Sequence, residues 1–364
     1  MATTLGRLTP FMAAIALGGC VRSYVHDAPL AFDAIPYTSV KGDPWPEKDV
    51  VLPDINAQYG LSADTKVHYV ELNAQGERTL IFVHGLGSYL KFWRYQLDHF
   101  AAQGYRVLAL DMIGYGKSSK PATFPYTMDA MADVVLAFAR EAGADRPVIV
   151  GHSMGGQTAL SFAIRYPDAL SALVLTSPAG FERFSPKEQA WFEKVFTVPL
   201  IMGTPEAAIW GTVRRSNFYR WKPEYAWLIE ERVRAAKNDT FAQYAYANVR
   251  SVHGLAHDDF VRANLRHIKV PTLIVHGDMD RLIPNPFMHG GPTIDVMKHG
   301  QRNIPGARLV TLADCGHTVQ MDCSVEYNAA VGAFLEALVR PAERLPVTSS
   351  ARPMHRSCAS QHCD

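Results

Sequence analysis

The chain has 364 residues, 48% of them hydrophobic, with 36 basic and 35 acidic side chains and a formal net charge of +1. That near-balance gives no electrostatic case for nucleic-acid binding, while the length is ample for a well-buried core in one large domain or two smaller ones. No internal apolar run reaches the roughly 18–20 residues of a membrane span, no repeat recurs at a fixed period and the body of the chain has no low-complexity tract.

Residues 1–20 differ from the rest. Arg7 supplies a positive start, and Leu8 to Gly19 is an apolar stretch too short to cross a bilayer. It has the shape of a secretory signal and ends in Leu17-Gly18-Gly19-Cys20. This resembles a bacterial lipobox, which implies a lipoprotein-type signal, cleavage before Cys20 and lipidation of that cysteine. The plainer readings are an ordinary signal peptide or a buried helix. A lipidated Cys20 would tether the chain in a bacterial cell envelope, on the periplasmic face or the outer membrane, and Val21 in place of an aspartate leans to the latter; an ordinary signal would leave the chain secreted. In that oxidising setting Cys315, Cys323, Cys358 and Cys363 permit two bridges, for example Cys315–Cys323 and Cys358–Cys363. Spacing leaves the pairing, or free thiols, open.

Residues 21–63, rich in Pro, Asp and Ala, read as a tether and a segment draped on the domain. Lys66–Leu72 then alternates like a half-buried strand. Short apolar runs follow at Thr79–Val83, Arg106–Leu110, Pro147–Val150, Ala172–Thr176, Pro271–Val275 and Arg308–Leu312. Strands with little alternation are expected where a parallel sheet is covered on both faces. Helical periodicity appears in Phe92–Gln103, closed by Gly104, in Met128–Glu141 behind Thr127, in Met154–Arg165 and in Val325–Val339. This alternation predicts an α/β class with a doubly wound, mostly parallel sheet. No strand pattern occurs between Thr176 and Pro271. Residues 181–267, dense in aromatics, are expected to form a helical cap inserted between the two core segments 64–180 and 268–340. Residues 341–364 are polar and rich in Pro and Ser, as in a disordered tail.

The chemistry concentrates in four loops, each after a strand. Gly151-His152-Ser153-Met154-Gly155-Gly156 joins the run Pro147–Val150 to the helix Met154–Arg165. That is the strand–turn–helix context of a G-x-S-x-G nucleophile elbow, with Ser153 at a helix N-terminus. The bland alternative is a glycine-rich turn with a capping serine. His84-Gly85-Leu86-Gly87 can turn backbone N–H groups outward, so the amides of Leu86 and Met154 are candidate oxyanion donors. His84 itself reads as a structural histidine. In Gly277-Asp278-Met279-Asp280 two aspartates compete to orient an imidazole. Asp280 is favoured by its place in the loop, leaving Asp278 as a turn residue. Asp314-Cys315-Gly316-His317 brings a histidine to the end of the last strand, and an imidazole is the side chain suited to general-base work near neutral pH. A loop histidine alone is usually solvated. The order Ser, Asp, His is what singles out His317.

With these loops and the segment Asp111-Met112-Ile113-Gly114-Tyr115-Gly116-Lys117-Ser118, the chain resembles the α/β-hydrolase superfamily with a helical cap, from about residue 64 to 340. The resemblance implies Ser153 as nucleophile, His317 as base, Asp280 as the acid that orients it, and the backbone of Leu86 and Met154 as oxyanion hole. It departs from the family in a longer connection after Pro284, which contains His289-Gly290-Gly291 and is read here as a loop up to Asn303.

A serine at 153 speaks against the haloalkane dehalogenases and epoxide hydrolases of this fold, whose nucleophile is an aspartate. The expected reaction is hydrolysis of a carboxylic ester, small-molecule or lipid, through an acyl-enzyme. A carbon–carbon bond hydrolase or iminopeptidase-like hydrolase on the same triad is the alternative. Glu224, Glu230 and Glu231 could receive a substrate amine, but they read better as a solvated helix face. A non-catalytic binding lipoprotein is the alternative of another class, and an acyltransferase using an alcohol other than water is a third. No zinc-type Cys/His spacing, P-loop or dinucleotide fingerprint occurs, so no metal or organic cofactor is expected.

Overall fold

The apolar runs become strands of one eight-stranded sheet in a computed structural model that describes residues 28–339. In chain order these are β1 (Glu47–Val51), β2 (Lys66–Leu72), β3 (Thr79–Val83), β4 (Arg106–Leu110), β5 (Val148–His152), β6 (Ala172–Thr176), β7 (Thr272–Gly277) and β8 (Arg308–Leu312). Their spatial order is β1-β2-β4-β3-β5-β6-β7-β8. β3 to β8 run parallel, and β1 and β2 are antiparallel at one edge.

Successive residues of a strand point to opposite faces, and both faces are covered here. Ile81 and Val83 of β3 join a cluster with Phe138 and Phe162 from the helices Met128–Glu141 and Met154–Arg165. Leu80 and Phe82 join another with Trp93, Phe100 and Tyr327. A strand packed on both sides has no polar face to show, which is why β5, β6 and β7 are buried throughout. The chain order reverses at β3, which pairs with β4 on one side and β5 on the other. At such a switch point the loops leaving adjacent strands diverge and open a crevice at their C-terminal ends.

Between β6 and β7 the chain is helical, with its main helices at Pro186–Val195, Val198–Met202, Glu206–Thr212, Ala226–Ala235, Phe241–His257 and Asp259–Asn264. Three elements differ from the sequence reading. β1 lies in the stretch read as tether and drape; it is an exposed edge strand whose charged residues carry no hydrophobic period. The helix expected over Phe92–Gln103 is two pieces, a 3₁₀ turn at Leu90–Trp93 and a helix at Leu97–Ala102. Tertiary bonds hold the break: Gln96 Nε2 donates to Gln320 O at 2.8 Å and to Asn328 Oδ1 at 2.9 Å. The connection after Pro284 is only partly loop, because Thr293–Asn303 is a helix that buries Met297 and Gly300. A Cβ on Gly300 would lie 2.3 Å from the Phe181 ring, so a residue that lowers helix propensity is needed there for packing.

Cys315 and Cys323 form a disulfide across eight positions. The proposed signal with Cys20, and the second cysteine pair Cys358 and Cys363, lie outside the described residues. No helix among the described residues is long and apolar enough to cross a membrane.

Candidate active site

Ser153 stands between β5 and the helix Met154–Arg165, with φ 53° and ψ −115°. A non-glycine residue in that region carries strain of about 1–3 kcal/mol and persists only where its surroundings fix it. Close backbone packing fixes it here. A Cβ on Gly155 would lie 2.3 Å from the Val83 carbonyl oxygen, and one on Gly151 would lie 2.3 Å from that of Gly155. The Ser153 N–H donates to Thr176 O at 3.0 Å, and its carbonyl accepts from the Ala179 N–H at 3.0 Å.

His317 stands on the loop after β8. Its Nδ1 lies 2.8 Å from Asp280 Oδ2, and the two side chains are 5% and 0% exposed. The other carboxylate oxygen of Asp280 accepts the N–H groups of Leu282 at 2.8 Å and Ile283 at 3.1 Å, so the carboxylate is anchored on both sides. Asp278 is exposed and its backbone N–H donates to Leu312 O. Of the two competing aspartates, Asp280 is therefore the one that meets the imidazole. With Nδ1 held by a carboxylate, Nε2 is the nitrogen left to exchange a proton. His152 packs against His317 with ring centroids 5.0 Å apart, and its Nε2 lies 3.2 Å from His317 O. Burial first, and the neighbouring His317 second, hold the His152 pKa well below the usual imidazole value, so it is a neutral neighbour.

The loop after β3 lies against Ser153: a Cβ on Gly85 would be 3.1 Å from the Ser153 Cβ. The N–H groups of Leu86 and Met154 have no hydrogen-bond partner among the described residues. His84 is fully buried, accepts the Met112 N–H on Nε2 at 3.0 Å and contacts Gly85 O through Nδ1 at 2.8 Å, the part of a structural histidine. Asp111 has a similar part. Its carboxylate accepts the N–H groups of Leu90 and Lys117, each at 2.8 Å, and ties the β3 and β4 loops together.

Ser153, His317 and Leu86 line one cavity of about 640 Å³. Phe92 from the sheet side and Phe184, Phe192, Phe196, Leu200, Phe241 and Val252 from the helical segment form its apolar walls. The other cap aromatics mostly pack elsewhere, as Phe218, Trp221, Tyr225 and Trp227 do in a separate cluster. The walls also hold a polar spot that sequence reasoning missed. Arg232 Nη2, Asn248 Nδ2 and Tyr244 Oη converge on Gly87, lying 2.6, 3.1 and 3.2 Å from where its Cβ would be. No local motif marks these residues, because two separate helices bring them to the β3 loop.

The reading of Glu224, Glu230 and Glu231 as a solvated face is corrected at Glu231. Its Oε1 pairs with Lys91 Nζ at 2.5 Å, with side chains 6% and 4% exposed, and its Oε2 accepts the Tyr89 hydroxyl. Burial raises the Glu231 pKa and lowers that of Lys91, each countered by the other's charge. The pair joins the helix Ala226–Ala235 to the β3 loop region, and Lys91 also lies 4.5 Å from the Trp227 ring centroid.

An elbow serine, a carboxylate-held histidine and free backbone amides around one pocket at the strand C-termini define a hydrolase-type α/β site. The chain belongs to the α/β hydrolase fold family, whose sequence profile matches residues 78–323. It is 27% identical over 288 residues to the 2-hydroxy-6-oxononadienedioate/2-hydroxy-6-oxononatrienedioate hydrolase of Paraburkholderia phymatum, covering 75% of this chain and 91% of that one. It is 25% identical over 264 residues to human Protein ABHD8; that match takes in 72% of this chain and spans only 56% of the length of ABHD8. Among solved structures, a probable hydrolytic enzyme from Pseudomonas aeruginosa superposes with a TM-score of 0.71 at 23% identity, over 85% of this chain and 98% of that one.

Proposed function

We propose that the protein is a serine hydrolase that cleaves carboxylic esters through an acyl-enzyme, with Ser153 as nucleophile, His317 as base and Asp280 as the orienting acid. The observation that carries this reading is that His317, held by the buried Asp280, lines the same cavity as the strained Ser153. His317 Nε2 takes the Ser153 proton as Oγ attacks the ester carbonyl. The N–H groups of Leu86 and Met154 hold the developing oxyanion, and the imidazolium, stabilised by Asp280, then protonates the leaving alcohol. Water activated by the same imidazole releases the acid. The aromatic and aliphatic walls favour an apolar acyl or aryl group.

A second reading, carbon–carbon bond hydrolysis, draws on the Paraburkholderia relative and on Arg232. The dienedioate in that relative's name carries carboxylates, and a guanidinium inside an apolar cavity is a natural partner for one. Outside the described residues, we propose that Cys20 carries a lipid that tethers the enzyme to a membrane of the cell envelope. Mass spectrometry of the mature N-terminus, with Cys20→Ser as control, tests the anchor.

The function is tested with p-nitrophenyl esters from acetate to palmitate on a soluble chain beginning after Cys20. Hydrolysis lost in Ser153→Ala supports a serine esterase, and the chain-length profile sorts esterase from lipase. Inertness to every ester, with cleavage of a vinylogous 1,5-diketone acid that Arg232→Ala weakens, moves the assignment to carbon–carbon hydrolysis.

A further inference from the structure

The residues on either side of His317 are both tied to the helical segment between β6 and β7. The Thr318 N–H donates to Asn217 O at 2.9 Å. The Gly316 N–H donates to Asp322 Oδ2 at 2.7 Å, and that same oxygen accepts the Tyr219 N–H at 2.7 Å. Oδ1 accepts the Arg220 N–H at 3.1 Å. Asp322 is 4% exposed and makes no ion pair among the described residues; three backbone amides from two distant parts of the chain satisfy it instead. Its burial pushes its pKa up, and the three amides pull it back.

Three further features make this joint tight. A Cβ on Gly316 would lie 2.6 Å from the Tyr219 nitrogen and 2.9 Å from Asn217 O, so the histidine loop and the cap backbone are in direct contact. The disulfide Cys315–Cys323 closes the loop that contains both His317 and Asp322, and the Tyr225 hydroxyl donates to Met321 O at 2.9 Å. Asn217 also lines the catalytic cavity. A substrate pressing on that wall therefore presses on the support of the base.

We propose that Asp322 is a positioning residue that couples the seating of the cap segment 217–220 to the alignment of His317 with Ser153. This rests on the reading of Ser153 and His317 as nucleophile and base. Asp322 touches neither substrate nor the reacting atoms. It acts by holding Gly316, and so the imidazole one residue on, in register with the cap. Removing it frees both segments and lets the base drift, while the apolar walls at Phe184, Phe192 and Leu200, which Asp322 does not touch, stay in place.

The experiment compares the wild-type protein with Asp322→Ala and Asp322→Asn, reading ester hydrolysis and the rate of labelling by a fluorophosphonate. Circular dichroism and an intact Cys315–Cys323 bridge certify the fold. For Asp322→Ala the expected result is a kcat reduced about 10²-fold, the scale of a small misplacement of a catalytic group, with KM changed less than about threefold and labelling slowed in parallel. Asp322→Asn loses less, because one amide oxygen still accepts the Gly316 and Tyr219 N–H groups. A folded Asp322→Ala with wild-type kcat and labelling rate overturns the proposal, as does a change confined to KM. If the alanine variant does not fold, Asp322→Ser takes its place, since a short hydroxyl cannot accept all three amides, and an unchanged kcat there overturns the proposal equally. A wild-type protein that refuses the fluorophosphonate overturns the reading of the site itself, and the positioning role with it.

Discussion

The two walls of the cavity are built differently. On the sheet side, the helix that starts at the nucleophile, Met154–Arg165, buries ten of its twelve residues, and glycines bring backbone against backbone around Ser153. On the opposite side, the helices Val198–Met202 and Glu206–Thr212 bury none of theirs, yet Leu200, Ile201 and Ile209 line the cavity. The first wall fixes atoms to fractions of an ångström and tolerates little change. The second presents side chains on loosely packed turns and can vary at small cost in stability. On the proposed function, the sheet side carries the chemistry and the cap the substrate choice. Asp322 and the Lys91–Glu231 pair are the joints between them.

The comparison is tested hardest on the sheet side. Asp280→Asn keeps the shape but removes the charge that fixes the His317 tautomer, and it should lower kcat about 10⁴-fold in the ester assay. An undiminished rate would mean that the orienting charge lies elsewhere. Next come the joints. Glu231→Gln strands a buried ammonium and should cost about 3 kcal/mol in urea unfolding. Lys91→Met combined with Glu231→Leu should recover most of that, since two packed apolar side chains need no counter-charge. If the double variant is as unstable as the single, the pair is worth more than its desolvation and this joint holds the two walls more firmly than packing would. The smallest effect belongs to the cap. Leu200 is exposed, so Leu200→Ser should leave stability within about 0.5 kcal/mol while moving the preferred acyl chain length, read from the ester panel. A large loss of stability there would erase the contrast between the walls.

Much of the sheet was legible. β3, β4 and β6 match their apolar runs residue for residue, because strands covered on both faces are apolar nearly throughout; β2 matches its alternating pattern, and the edge strand β8 its short run, with the same bounds. β1 was not, because an edge strand facing water needs no such pattern. Ser153 was legible from its glycines, since only a tight strand-to-helix turn demands them at 151 and 155. Glu231 was misread: a glutamate on an amphipathic helix looks solvated until a lysine five positions beyond Leu86 is folded onto it.

By itself the sequence determined the features set by local periodicity and turn chemistry: the α/β class, the elbow, and the order of the serine, acid and histidine loops. Those signals reside in neighbouring residues and survive without knowledge of the rest. Only the tertiary structure decided which aspartate meets His317, which cysteine pairs with Cys315, where Arg232 points and what Asp322 holds. Each of these is a contact between segments far apart in the chain, created when burying apolar area forces the segments together, and its polar partners are chosen by the need to satisfy what that burial strips of water.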